Sequence, residues 1–143
     1  MSIQAILNNK GDDVVSIEAG ASVRSALLRM DECQIGALIV CTQSDENCGI
    51  FTERDVMRAV VRGDMEVLNS PVRDHMSARP QCLSFESSIQ EAMSIMTQMR
   101  FRHMPVIKDN RLCGIISLGD LVNFRINESE REAQAMKQYI QTA

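Results

Sequence analysis

Aromatic side chains are nearly missing from these 143 residues, which hold no tryptophan, one tyrosine and four phenylalanines. The core must therefore be assembled from Ile, Leu, Val and the ten methionines, whose flexible thioethers fill irregular gaps. Long apolar runs are also missing. None approaches the roughly 18–20 residues that cross a bilayer, so no membrane partner is expected. The opening MSIQAILNNKGDD lacks the basic start and apolar stretch of a signal peptide, which points to a cytoplasmic protein. Excess positive charge is absent too: a net charge of −4 argues against a general nucleic-acid binder.

Cysteine is present in a pattern that excludes most of its uses. The five residues Cys33, Cys41, Cys48, Cys82 and Cys113 are odd in number and contain no CxxC pair. A disulfide framework and a zinc knuckle are both poor readings, and a reduced compartment fits. A metal sensor using cysteine with His75 or His103, the two histidines, gains no support from spacing. Neither histidine stands in a Ser-His or Cys-His arrangement suited to nucleophilic catalysis, so no enzyme is expected.

What is present is a phrase written twice. GIFTERD begins at Gly49 and GIISLGD at Gly114, pairing Thr52 with Ser117 and Asp55 with Asp120, each 65 residues apart. Upstream the match continues at an offset of 66: Ser22 with Ser88, Ala26 with Ala92, Met30 with Met96, Leu38 with Met104, Val40 with Val106. Internal repeats of this size signal duplicated supersecondary units. Each unit reads strand, helix, strand, strand, helix. The strands are Val14 to Glu18, Ala37 to Val40 and Gly49 to Phe51 in the first unit. They are Gln81 to Phe85, Met104 to Ile107 and Gly114 to Ile116 in the second. The first helix of each unit has a stripe at Val23, Ala26, Leu27 and Met30, or Ile89, Ala92, Met93 and Met96, the spacing of one buried face. The last helices are expected over about 53–62 and 118–126. Polar turns are expected at QSDEN (43–47) and KDNR (108–111). The expected organisation is a repeat over 10–63, a linker over 64–79, a second repeat over 80–126 and a separate C-terminal helix over 127–143. The terminal helix has a narrow stripe at Ala133, Met136 and Ile140 that suits a subunit contact. The fold class is α+β, with two β-α-β-β-α repeats packed about a pseudo-twofold axis.

The repeated phrase has a structural reading and a ligand reading. A Thr or Ser N-cap with an acid three residues on satisfies orphan backbone donors and suits the helix dipole. The opening glycine of each phrase points to a close backbone approach. A helix that starts straight after a strand also offers N–H groups to an anion, and an acid beside it can hold a sugar diol. Arg100, Arg102 and His103 add positive charge in the second unit, where the first has small residues at Gly36 and Ala37 that leave room for a flat ring.

Together these features resemble the CBS domain, named after cystathionine β-synthase and present here as a tandem pair over residues 10–126, similar to small stand-alone bacterial CBS-pair (Bateman module) proteins. The resemblance rests on G-h-h-[ST]-x-x-D at 49–55 and 114–120, on RHMPV at 102–106, and on the element order. It implies a regulatory sensor with two clefts for adenine nucleosides such as AMP, ADP, ATP, NAD(H) or S-adenosylmethionine. The first site would comprise Ser16, Ile17, Ile35, Gly36, Ala37, Thr52, Arg54 and Asp55. The second would comprise Cys82, Leu83, Arg102, His103, Met104, Pro105, Ser117 and Asp120. Asp55 and Asp120 would hold ribose, Thr52 and Ser117 ribose or phosphate, and Arg54, Arg102 and His103 phosphates. For stacking on adenine, only Phe101 and Phe51 are candidates. The resemblance further implies a homodimer through the CBS faces and the C-terminal helix, and a regulated protein partner. The competing reading is a structural or interaction module in which both phrases only cap helices.

Overall fold

The computed structural model describes residues 2–10, 14–42 and 49–142, so the expected turn at 43–47 lies outside the described residues. The first repeat contains β1 (Ser16–Glu18), α2 (Val23–Cys33), β2 (Ala37–Cys41), β3 (Gly49–Thr52) and α3 (Glu53–Val61), preceded by a short α1 (Ile3–Lys10). The second contains β4 (Leu83–Ser84), α4 (Ile89–Met99), β5 (His103–Lys108), β6 (Arg111–Ser117) and α5 (Leu118–Thr142). Each repeat builds a three-stranded sheet, β1-β2-β3 or β4-β5-β6, whose first pair is parallel and second antiparallel.

Local chemistry sets the element ends. Ser22 and Ser88 accept from the backbone N–H of Ser25 and Glu91, capping α2 and α4. Both helices end on a left-handed residue, Gln34 (φ 54°) and Arg100 (φ 56°), which turns the chain sharply into the next strand. The hairpin between β5 and β6 turns on Asp109 and Asn110, both at positive φ, the two-residue turn that matches strand twist.

Two cores result, one per repeat, and each is completed by a segment from outside it. The first gathers Val23, Ala26, Met30, Leu38, Val40 and Phe51, and takes Val67 and Val72 from two single 3₁₀ turns in the connection. The second gathers Leu83, Ala92, Met96, Met104, Val106, Ile116 and Leu121, and takes Ile3, Ile6 and Leu7 from α1. The two insertions use the same bond: Val72 N–H donates to Ala21 O (2.8 Å) and Ile3 N–H donates to Ser87 O (3.0 Å). The segment ahead of each repeat thus docks on the other repeat.

Three features depart from the sequence reading. Helix α1 was not expected, although Ile3, Ile6 and Leu7 form a short apolar stripe. The first strands begin at Ser16 and Leu83, two residues later than the apolar runs suggest. The helix expected to end near Ile126 runs unbroken to Thr142, because no glycine or proline interrupts the chain between Gly119 and Thr142.

The crossing segments also account for the opening glycines. A Cβ on Gly49 would lie 2.7 Å from the Ser77 carbonyl oxygen and 2.8 Å from Met76 Sδ, and one on Gly114 would lie 2.8 Å from Leu7 Cδ2. The close approach that each glycine permits is made by the protein itself.

Candidate functional site

Two clefts open where the repeats meet. Each strand-to-helix phrase sits at the mouth of one, because β3 and β6 deliver their last residue directly to the N-terminus of α3 and α5. The Asp55 cleft has a volume of about 620 Å³ and is lined from the first repeat by Gly36, Thr52, Arg54, Asp55, Met57 and Arg58. From the chain beyond, it takes Ser77, Pro80, Gln81, Arg100, Phe101, Arg102, His103 and Pro105. The Asp120 cleft, about 410 Å³, is lined by Ser117, Asp120, Gly114 and His103 from the second repeat and by Lys10, Val14, Val15, Ile35, Gly36 and Ala37 from the first part of the chain.

The clefts are therefore assembled crosswise. From the family resemblance, each aspartate is expected to share its cleft with strands of its own repeat. Instead, Arg102 and Pro105 join Asp55, Ile35 and Ala37 join Asp120, and Gly36 and His103 line both clefts. Ser16, Ile17, Cys82, Leu83 and Met104 line neither. The late start of β1 and β4 replaces Ser16 and Ile17 with Val14 and Val15, and Cys82 and Leu83 with Pro80 and Gln81, at the same 66-residue offset. Leu83 and Met104 are fully packed in the second core. Side chains alternate along a strand, so His103 and Pro105 face the cleft while Met104 points away. Phe51 is buried in the first core and Phe101 reaches the Asp55 cleft. Lys10, Arg58 and Gln81 carry no motif of their own, whereas Arg100 belongs to the basic cluster already visible in the sequence. Gln81 follows from the 66-residue offset only once Val15 is known to line the other cleft.

The two carboxylates are held alike by their helix caps and differ in their charged partners. Asp55 Oδ2 accepts from Thr52 N–H (2.9 Å) and from the Thr52 hydroxyl (3.4 Å). Asp120 Oδ2 accepts from Ser117 N–H (2.9 Å), and Ser117 Oγ accepts in return from Asp120 N–H (3.0 Å), a reciprocal cap. Lys10 Nζ also donates to Asp120 Oδ2 (2.7 Å) and to Ile115 O (3.1 Å). Burial pushes the Asp55 carboxyl above its ordinary value, against the Thr52 bonds and the nearby Arg58. Burial acts upward on Asp120 as well, but Lys10 and Ser117 outweigh it and hold that carboxyl below its ordinary value.

His103 stands between the clefts. Its ring fills the space that Gly36 leaves, since a Cβ there would be 3.1 Å from His103 Cε1 and 3.3 Å from both His103 Nε2 and Glu53 Oε1. The flat ring against Gly36 is thus the protein's own imidazole. Burial, then the Arg102 guanidinium, lower its pKa against Glu53 and Asp120, so it is neutral at pH 7. Arg54 reaches over to donate from Nη1 to Arg100 O (2.9 Å), tying α3 to the turn after α4. With Arg54, Arg58, Arg100 and Arg102, the Asp55 cleft carries four guanidiniums against Glu53 and Asp55. The Asp120 cleft carries Lys10 against Asp120. Among the described residues, no group of three or more His, Cys, Asp or Glu side chains could hold a metal ion, and no helix is long and apolar enough to cross a membrane.

The opposite shifts of the two aspartates predict opposite stability effects. A lowered carboxyl stabilises the fold fully above the unfolded value of about 4 and loses that contribution as pH falls through its folded value. A raised one costs stability at neutral pH and is relieved as pH falls through its folded value. Lys10→Ala is expected to lower the melting temperature at pH 7, with the deficit vanishing at low pH once Asp120 is protonated. Asp55→Asn is expected to raise it. Both groups are part-exposed, so each effect is about 0.5–1 kcal/mol or less. Scanning calorimetry from pH 3 to 8 reads both; a loss of stability in Asp55→Asn would contradict the account.

Comparisons with known proteins agree on the family. The CBS domain model matches twice, over residues 9–62 and 72–127. The chain is similar to the mitochondrial CBS domain-containing protein CBSX3 of Arabidopsis thaliana, at 33% identity over 124 residues, covering 84% of this chain and 60% of that protein. It therefore spans less than two thirds of that relative's length. Among solved structures it is similar to the CBS-domain protein ATU1752 from Agrobacterium tumefaciens (37% identity, TM-score 0.81, covering 87% of this chain and 99% of that one). The CBS domain protein PAE2072 from Pyrobaculum aerophilum, complexed with AMP, shares the fold at 20% identity and a TM-score of 0.72, covering 84% of this chain and 89% of that one.

Proposed function

This chain belongs to the CBS-domain family, as a tandem pair of repeats, and we propose that it is a sensor that binds adenine nucleotides in its two clefts and signals their occupancy to a protein partner. CBS-domain proteins are typically regulatory rather than catalytic, and the fold neighbour PAE2072 is complexed with AMP. The observation that supports the reading most is Asp55. Its part-buried carboxylate is anchored through Oδ2 to Thr52 and opens into a 620 Å³ cleft rimmed by four guanidiniums. A carboxylate for a ribose diol and arginines for phosphate oxygens are the complementary halves of a nucleotide site. In this reading Thr52 and Asp55 take ribose, and Arg54, Arg58, Arg100 and Arg102 take phosphates. Pro80, Gln81, Phe101 and Pro105 flank adenine.

The Asp120 cleft follows the same plan, with Ser117 and Asp120 at ribose and Val14, Val15, Ile35 and Ala37 around the base. Its one rim lysine already engages the carboxylate, so it takes a nucleotide more weakly and favours fewer phosphates. Of AMP, ADP, ATP and NAD(H), the species with more phosphate charge fit the Asp55 cleft better.

Titration calorimetry tests this directly. The expected result is binding well below millimolar, with ATP tighter than AMP, and loss of at least about tenfold for 2′-deoxy-AMP, which lacks one charged-group hydrogen bond. Absence of binding by every nucleotide would sink the proposal. The Ser117–Asp120 reciprocal cap favours a second reading, in which the phrases only close helices. It expects Asp55→Asn and Asp120→Asn both to lose stability, and no nucleotide to raise the melting temperature.

A further inference from the structure

Helix α5 leaves the body of the protein after its second turn. Leu118, Leu121 and Phe124 pack on the second core. Further on, Met136, Tyr139 and Ile140 are 65%, 75% and 72% exposed. Beyond Phe124 the helix buries no apolar side chain within the chain, whereas helices in proteins draw most of their stability from packing an amphipathic face.

The side chains specify what that partner is. Apolar or small residues recur at Val122, Ile126, Ser129, Ala133, Met136 and Ile140, alternating steps of four and three, the 3.5-residue period of a left-handed coiled coil. In heptad terms Ile126, Ala133 and Ile140 occupy a, and Val122, Ser129 and Met136 occupy d. Ile126 and Ile140 at a are residues that two-stranded seams use there, and the small pair at Ser129 and Ala133 leaves room for close approach. The flanks carry Arg125 and Glu132 at g, and Glu130 and Lys137 at e. Among the described residues none of these four makes an ion pair within the chain.

We propose that α5 pairs with α5 of a second copy of this chain as a parallel, in-register, two-stranded coiled coil over 122–140. In that arrangement each g residue faces the e residue five places further along the second copy. Arg125 meets Glu130 and Glu132 meets Lys137, opposite charges in both cases, and the twofold axis forms each pair twice. An antiparallel pair sets g against g and e against e, and separates Arg125 from Glu130. The proposal is independent of the nucleotide reading, since it concerns the protein without ligand.

Sedimentation equilibrium of the full chain in nucleotide-free buffer tests it. The expected result is a dimer at tens of micromolar that Ile126→Glu/Ile140→Glu weakens by at least about 100-fold, as unpaired charges enter the seam. Both positions are exposed in the single chain, and circular dichroism checks that the repeats stay folded. Glu132→Lys is expected to weaken the dimer roughly fivefold, and Glu132→Lys/Lys137→Glu to restore it to within about twofold. The charge-swap pair lies on the solvent-facing flanks and keeps the test decisive if the seam variant misfolds. A monomeric wild type overturns the proposal, as does a dimer indifferent to the seam variant or a charge swap that does not restore association.

Discussion

Asp55→Ala is expected to weaken nucleotide binding at the larger cleft by about 100-fold. The carboxylate approaches its ligand with one oxygen already committed: Oδ2 holds Thr52 N–H at 2.9 Å, which fixes the rotamer at the start of α3. Among the described residues no hydrogen bond within the chain reaches Oδ1, so that oxygen is available to a donor entering the cleft. Hydrogen bonds to a charged group contribute about 1.5–3 kcal/mol each. Two ribose hydroxyls, discounted for a cleft open to water, make roughly 3 kcal/mol, or about 100-fold at 1.4 kcal/mol per decade. Calorimetry with ATP reads the loss, and the Asp120 cleft, whose carboxylate is untouched, provides an internal reference. An affinity within threefold of wild type would show that Asp55 is a cap and not a ligand. The same carboxylate is pushed upward by burial, so Asp55→Ala removes a charge that costs the fold stability. A variant that binds less without being less stable is the signature of a residue kept for its ligand.

Gly49→Ala is expected to cost the fold about 2–3 kcal/mol, far more than Gly114→Ala. At Gly49 the new methyl would meet backbone, the Ser77 carbonyl oxygen at 2.7 Å. That carbonyl cannot withdraw freely, because Ile50 N–H donates to Ser77 O at 3.0 Å and Ser77 N–H donates to Ile50 O at 2.9 Å. Relief requires breaking the bridge that holds the connection against β3, and with it the Ser77 edge of the Asp55 cleft. At Gly114 the obstacle is the tip of Leu7, 2.8 Å away, which can rotate at a cost of about 1 kcal/mol or less. Urea denaturation of the two variants gives the comparison. Equal losses, or a larger loss at Gly114, would mean that the crossing segments do not hold the repeats as described.

Most of each repeat was legible in the chain. The stripes Val23-Ala26-Leu27-Met30 and Ile89-Ala92-Met93-Met96, with Ser22 and Ser88 ahead of them, are local signals, and local hydrogen bonds and spacing realise them as α2 and α4. The same holds for the hairpin turn at Asp109-Asn110 and for Asp55 and Asp120 at the first turn of a helix. Duplication reinforces these signals, since each recurs in the second repeat at a constant offset.

The crosswise exchange was not legible. Ile3, Ile6 and Leu7 have helical spacing, yet eight residues are too few to hold a helix alone; only the open flank of the second core makes α1 worth forming. Lys10 reaches Asp120 for the same reason, across a separation of 110 residues that no pattern records. His103 was legible as part of a basic cluster, but its place against Gly36, between two clefts, follows from how the repeats pack. The sequence by itself determined the two repeats, their element order and the paired aspartates, because each depends on interactions within a few residues. Only the tertiary structure decided which residues share a cleft and which aspartate is paired with a lysine, because burial of two apolar faces against each other's preceding segments brings those groups together, and that complementarity is a property of surfaces rather than of spacing.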